Sequence, residues 1–483
     1  MKSSPTCSAA LPQRRRRRIT QALLAGLGGM TGARPVFAQP AAEGATTVSA
    51  AYATKAAVAA IAQPASGEVR LALLLGNRDY PEPFDLPPIP KNLRDLKAGL
   101  ERRGFAVTDA LDQDLPSSRK ALEGFLQLVA KAPQDATLFF YFSGHGVQVD
   151  ATNLLLPARL NPSGSADSLR SGSFRLLDDV VKRVPERSGG LLVAVVDACR
   201  TSLKAGAEAG LNQVEAPPGC LIAFSTGAGR PAVAPAVEDQ NTFYTASLVK
   251  LLHNMSDETL FTDMFQLVKA DVRNTMLKHP VEAIRRLAQD PFIADNTVTP
   301  RALAPHLGKT SSVPQPDAAD EDQDWLKLSQ ATWPADVVQQ ADIFLKAHPN
   351  SKRASGALVA RNGAAEAVRI LQRSDVRLFK SAFQIPPSSD EDLRRDVLRA
   401  GRGDKDAAAR LARLQKAQAA APNWINRYEG WLQLAAALGN GIASYELALH
   451  YRNQDRPLLA SQWESRAREL GYTPPPTLDN VRK

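Results

Sequence analysis

Cysteine is scarce: Cys7, Cys199 and Cys220 are the only three in 483 residues. Two remain once the N-terminal segment is set aside, so a disulfide framework is excluded and a single Cys199–Cys220 bridge is the most that can form. The histidines at 253, 279, 306, 348 and 450 keep no ligand spacing with these cysteines, so the sequence offers no metal site of the zinc type. No Gly-rich loop ends in Lys-Ser/Thr to cradle a phosphate. Beyond residue 38 no apolar run reaches the ~18 residues that a spanning helix needs. Acidic residues are missing altogether from residues 1–38, which carry Lys2, Arg14 to Arg18 and Arg34, seven positive charges. The net charge of +9 therefore leaves 9 − 7 = +2 for the rest, which gives no ground for a nucleic-acid partner.

What is present in residues 1–38 reads as an export signal. A basic run comes first, then an apolar stretch from Ile19 to about Met30, and Val36-Phe37-Ala38 puts small residues three and one before a cut. The arginines suit a twin-arginine signal and an ordinary secretion signal equally. No cysteine follows the apolar stretch, so no lipid anchor is expected, and the chain is read as exported, to a bacterial periplasm. Residues 39–66, rich in Ala, Thr and Ser, read as a flexible tether.

From Val69 the pattern changes. Short apolar runs, Leu71 to Leu75, Ala106 to Leu111, Leu138 to Phe142, Leu191 to Val196 and Gly219 to Phe224, have the length of buried strands. Helical stretches near 91–103, 117–131 and 176–187 lie between them, and two more, near 241–254 and 259–278, follow. The alternation predicts an α/β domain over 67–300, with a mainly parallel sheet and helices on both faces. Residues 301–322 read as a linker. The strand signal then stops, predicting an all-α part: a helical region over 323–395 and repeats over 396–475. In the latter, Gly403-Asp404-Lys405-Asp406-Ala407-Ala408 recurs as Gly439-Asn440-Gly441-Ile442-Ala443-Ser444, and Trp431 to Gly439 recurs as Trp463 to Gly471. Steps of 36 and 32 residues imply stacked helix pairs and resemble Sel1-like repeats, relatives of the tetratricopeptide family. An irregular helical domain is the alternative.

Two motifs carry chemistry. Phe140-Tyr141-Phe142-Ser143-Gly144-His145-Gly146 and Val195-Val196-Asp197-Ala198-Cys199-Arg200 each place polar residues just past a predicted strand. In a parallel sheet both ends lie on one edge, where His145 and Cys199 can meet. A free thiol, with a pKa near ~8.5, is mostly protonated at neutral pH, so an imidazole is needed to take its proton and later give it to the leaving amine. The amides of Gly146 and Cys199 are candidates for holding the oxyanion. Cys220, in an apolar context, reads as core.

These motifs resemble the caspase, metacaspase and orthocaspase family over about 69–300. Leu71 to Asn77 with Tyr80, Lys91-Asn92-Leu93-Arg94-Asp95-Leu96, Gly104-Phe105-Ala106-Val107 and Ala223-Phe224-Ser225-Thr226 look like the family's other landmarks. The resemblance implies a caspase-like fold and a cysteine endopeptidase with Cys199 as nucleophile and His145 as base. Asp197, two before the cysteine, is as in metacaspases, which cleave after Arg or Lys, and the resemblance implies a substrate pocket of Asp95, Asp197 and Ser143. Asp197 also reads as a structural acceptor and Asp95 as a solvated helix residue. The implied partner is a protein or peptide substrate with a basic residue at the cleavage site, with a protein partner on the helical repeats. No cofactor is required. Some metacaspases depend on calcium, but the acidic pairs Asp178-Asp179 and Glu238-Asp239 are too short to predict it here. The alternative function is a silent caspase-like scaffold acting through its repeats, if a Cys199–Cys220 bridge ties up the thiol.

Overall fold

The structure is a computed structural model that describes residues 67–305 and 317–472, except 151, 187–188, 201–212, 228–231, 234, 236 and 419–423; at 199–200, 317–319 and 424–426 it describes the backbone alone. The expected signal and tether, and residues 306–316 of the expected linker, lie outside the described residues; residues 317–322 of that linker are instead helical.

The first part of the chain alternates strands and helices: β1 (Arg70–Gly76), α1 (Ile89–Arg102), β2 (Ala106–Leu111), α2 (Leu115–Lys131), β3 (Thr137–Val149), β4 (Thr152–Leu155), α3 (Ala166–Gly172), β5 (Phe174–Arg175), β6 (Leu191–Arg200) and β7 (Cys220–Phe224). Then come α4 (Phe243–Asn254), α5 (Phe261–Leu277), α6 (Glu282–Arg286) and β8 (Phe292–Asn296). The sheet runs in the order β2-β1-β3-β6-β7-β8. Its first five strands are parallel and β8 is antiparallel to β7. β1 and β7 are buried along their whole length, as continuous apolar strands of a doubly covered sheet must be. β2 has no buried residue and is largely exposed, as suits an edge.

Alternation sorts the side chains onto two faces. Leu71, Leu73, Leu75, Phe140 and Phe142 meet Leu122, Phe125 and Val129 of α2. Ala72, Leu74, Phe139, Tyr141, Val193 and Val195 meet α1, α4 and α5 through Leu93, Leu96, Leu248, Phe261 and Phe265. α1 starts at a proline-rich entry, runs its leucines at 93, 96 and 100 along one stripe, and stops at Gly104, whose φ of 79° favours glycine. The helix expected over 176–187 is instead one π-turn, Leu176–Val180, followed by a 3-10 turn. It buries only Leu176, Val180 and Val181, too few for a longer amphipathic helix.

Past β8 the described residues hold helices and no further strand: α7 (Asp317–Gln330), α8 (Pro334–Ala347), α9 (Ala354–Leu371), α10 (Glu391–Gly401), α11 (Lys405–Ala417), α12 (Trp424–Ala437), α13 (Gly441–Asn453) and α14 (Pro457–Glu469). Buried alanines at 407, 408, 409, 412, 435, 436 and 443 let α11, α12 and α13 approach closely around Trp431. No helix among the described residues is long and apolar enough to cross a membrane.

Candidate active site

β3 and β6 lie side by side and parallel, with Ser143 opposite Asp197, His145 opposite Cys199 and Gly146 opposite Arg200. Two residues 199 − 145 = 54 apart in sequence thus share one rung, with the strands about 4.8 Å apart. β1 ends opposite Ser143, which frees the next stretch of β3 to pair with the antiparallel β4. Leu156 N donates to His145 O at 3.0 Å. Alternation along that ladder turns the Gly146 N–H the other way, toward β6.

The imidazole of His145 is held on two sides and left open on one. Nε2 lies 2.7 Å from the carbonyl oxygen of Phe84. A carbonyl only accepts, so Nε2 carries the proton and Nδ1 of the neutral ring keeps its lone pair. Nδ1 is buried and has no hydrogen-bond partner among the described residues. Tyr80 meets the ring edge-on at 4.5 Å, and its hydroxyl accepts from His145 N and donates to Leu156 O. A Cβ on Gly144 would come within 2.7 Å of that hydroxyl, so the glycine makes room for the tyrosine. Burial lowers the His145 pKa from its ordinary 6.5, against the opposing pull of the Phe84 carbonyl.

Asp197 is buried with no cation beside it among the described residues. Its Oδ2 accepts from the hydroxyls of Thr242 and Thr245, the latter at 2.7 Å, and more weakly from Tyr141 at 3.5 Å. The Ser225 hydroxyl also favours the charged carboxylate, and Asp197 lines a small pocket walled by Leu86, Pro88, Ile89, Ala232 and Val233, with Gly144 and Thr242. Burial raises its pKa above the ordinary 3.8, and the hydroxyl hydrogen bonds only partly oppose this. Thr242 is the N-cap of α4 and accepts from Thr245 N. It thus ties the helix start to the carboxylate.

Sequence reasoning missed the residue of α1 that braces Thr242, the partner of Asp197. Asn92 is fully buried; its Nδ2 donates to Ser143 Oγ at 3.3 Å and Thr242 Oγ1 at 3.2 Å, and its Oδ1 accepts from Thr242 N at 3.1 Å. Asp95, one turn on, pairs with Lys91 at 2.7 Å and contributes to the electrostatics of His253, and it is not among the residues that line the pocket. Ser143 is buried beneath the pocket rather than exposed in it. Phe84 carried no sequence signal, whereas Thr242 before an apolar helix is an N-cap signature that could have been read.

Cys220 is buried, and its thiol pKa is pushed up to about 12 by burial. Its register partner on β6 is Leu192, at the opposite end of that strand from Cys199. Seven residues of strand span roughly 23 Å, far beyond the ~7 Å limit between bridged Cα atoms. A Cys199–Cys220 disulfide is incompatible with this sheet.

Residues 69–303 match the caspase domain family. No curated protein matches the chain. Among solved structures, the crystal structure of caspase-1 from Spodoptera frugiperda is similar at 14% identity and a TM-score of 0.38, covering 51% of this chain and 93% of that one. That likeness is too low to add to the argument. The match over 69–303 supports the cysteine-peptidase family for this part of the chain.

Proposed function

We propose that the chain is a cysteine endopeptidase in which Cys199 is the nucleophile and His145 its base, cleaving after arginine or, less well, lysine. The observation that carries this reading is the shared rung of His145 and Cys199, with a buried Nδ1 that no described residue engages. Nδ1 takes the thiol proton, and the thiolate adds to the scissile carbonyl carbon. The negative charge that forms on the carbonyl oxygen is assigned to the amides of Gly146 and Cys199, which reach it once the last rungs of the β3–β6 pairing open. The imidazolium then gives its proton to the leaving amine as the C–N bond breaks, and water hydrolyses the thioester. The dyad chemistry needs no cofactor.

The arginine preference rests on Asp197. A buried carboxylate that has no cation beside it among the described residues and lines a pocket gains most from a guanidinium or ammonium, through charge-assisted hydrogen bonds. Asn92, which also donates to Ser143 Oγ, donates to the Thr242 hydroxyl and so helps to orient Asp197. We place Asp95 outside this pocket. Export to a periplasm and a Sel1-like character for residues 396–475 belong to the same proposal.

Hydrolysis of fluorogenic peptides ending in Arg, Lys or Asp tests it. Turnover is expected with Arg above Lys and none with Asp, all of it lost in Cys199→Ala. Cleavage after Asp would overturn the pocket assignment.

A further inference from the structure

The glycine turns that recur along the helical region face the peptidase part of the chain, and one of them receives a side chain from the segment that follows Cys199. Gly403, Gly439 and Gly471 all take positive φ, at 78°, 99° and 76°. Beside the first turn, Lys405 Nζ donates to Ile293 O of the edge strand β8 and Asp406 accepts from Asp295 N. The other two turns hold Gln213. Gln213 N donates to Gly471 O at 3.1 Å, its Nε2 donates to Gly439 O at 3.3 Å, and its Oε1 accepts from Gly441 N at 2.7 Å. Where the first copy of the repeat has Lys405, the second has Gly441, and a Cβ there would come within 2.8 Å of Gln213 Oε1. That departure between the two copies is the space Gln213 fills. The next residues are fixed as well: Val214 and Ala216 are buried against the sheet core, and Glu215 pairs with Arg413 at 2.5 Å.

We propose that Gln213 is a positioning residue for the reaction: docked between Gly439 and Gly441, it anchors the chain 213 − 199 = 14 residues after the nucleophile, so the helical region works in cis on the catalytic site rather than as a detachable recruiting module. This rests on the peptidase reading above. Among the described residues, a single side chain whose hydrogen bonds satisfy the carbonyl of one helix end and the first N–H of the next has no equivalent at the Lys405 turn. Misplacement of about 1 Å at a nucleophile costs on the order of a hundredfold in rate, so an anchor of this kind is felt in kcat.

The test uses the full chain with Gln213→Ala, Gly441→Val, which invades the same space from the other side, and Gln213→Glu, which keeps the acceptor for Gly441 N. Peptide turnover is measured, together with iodoacetamide labelling against pH, read at each cysteine by mass spectrometry. The first two variants are expected to lose at least about tenfold in kcat with KM changed less than about twofold. The pH profile of Cys199 labelling should move upward, Cys220 should stay as protected as in the parent, and Gln213→Glu should recover only part of the loss, since its carboxylate keeps the acceptor for Gly441 N but has no proton for the Gly439 carbonyl. Unchanged kcat and an unchanged Cys199 profile would overturn the proposal. So would Cys220 becoming labelled in step with the loss, since the role would then be merely structural. If the parent chain turns over no peptide, the peptidase reading fails, and the Cys199 profile still decides whether Gln213 positions the thiol.

Discussion

Each candidate side chain is defined by what its neighbours leave open. His145 is fixed through Nε2 by the Phe84 carbonyl, so its basic atom is Nδ1. In a Cys199→Ala chain, where no thiolate can pair with the ring, the imidazole should titrate below 6.5, as seen by NMR of the His145 ring. A value at or above 6.5 would contradict the burial argument. The stability consequence has a defined sign. With the folded pKa depressed, the unfolded chain binds more protons just below 6.5, so this residue's contribution is present at higher pH and is lost as pH falls through that window. Asp197→Asn should raise KM for arginyl peptides by about a hundredfold, the loss of one charge-assisted pairing of roughly 3 kcal/mol, and should remove an acid limb in KM that lies above the ordinary carboxylate value of 3.8. The Ser143 and Cys199 motifs were legible because they sit at the ends of unmistakable apolar strands. The choice of Asp95 over Asn92 was not resolvable by residue type, since a carboxylate is the more obvious ligand for a cation. Only the helix phase shows that Asn92 faces Ser143 while Asp95 faces Lys91.

Among the elements, α4 holds the pocket's carboxylate through its N-cap and first turn. Thr242 has one hydroxyl proton and two acceptor sites, and all three are used: it donates to Asp197 and accepts from Asn92 Nδ2 and Thr245 N. Thr242→Ala should cost about 1 kcal/mol as a lost cap and should raise KM for arginyl peptides as well, because Asp197 loses a donor. Thr242→Ser should restore both, and thermal unfolding beside KM separates the two effects. An alanine variant with parent-like KM would show that the cap and the carboxylate act independently. The principal strands of the sheet were readable from continuous apolar runs. β4, β5 and β8 were not: Thr152–Leu155 and Phe174–Arg175 are too short to show a period of two, β4 forming against the part of β3 that β1 leaves unpaired and β5 against β4, and Phe292–Asn296 is a short stretch with two polar residues in its five.

For the described chain beyond its N-terminal segment, the helical region and the sheet form a continuous structure through β8. The outer backbone groups of this edge strand are taken by helices rather than left open: Asp295 N by Asp406, Ile293 O by Lys405, and Asp295 O by Arg399 and Arg410. Arg399 also pairs with Asp295 at 2.7 Å and Asp404 at 2.6 Å. Arg399→Ala should therefore cost about 3 kcal/mol in urea unfolding, since it leaves two partly buried carboxylates short of a partner; a change below about 0.5 kcal/mol, the size of an ordinary surface substitution, would contradict the clamp. A chain ending before Asp317 should expose β8 and associate through it, as unprotected edges do, whereas the full chain should show no association that depends on β8. Light scattering of both checks this. The repeat period was visible in the sequence, but its occupant was not, because nothing local in residues 213–216 announces a contact more than two hundred residues away.

The central claim is that Cys199 is a nucleophile served by His145 beside a pocket for a cationic side chain. A peptidyl-arginine chloromethyl ketone, mapped by mass spectrometry, tests it most directly. The account predicts modification at Cys199, absent in Cys199→Ala, strongly slowed in His145→Ala and Asp197→Asn, and not reproduced by the peptidyl-aspartate analogue. Equal labelling by both reagents, or labelling of Cys199 that His145→Ala leaves unchanged, would contradict it.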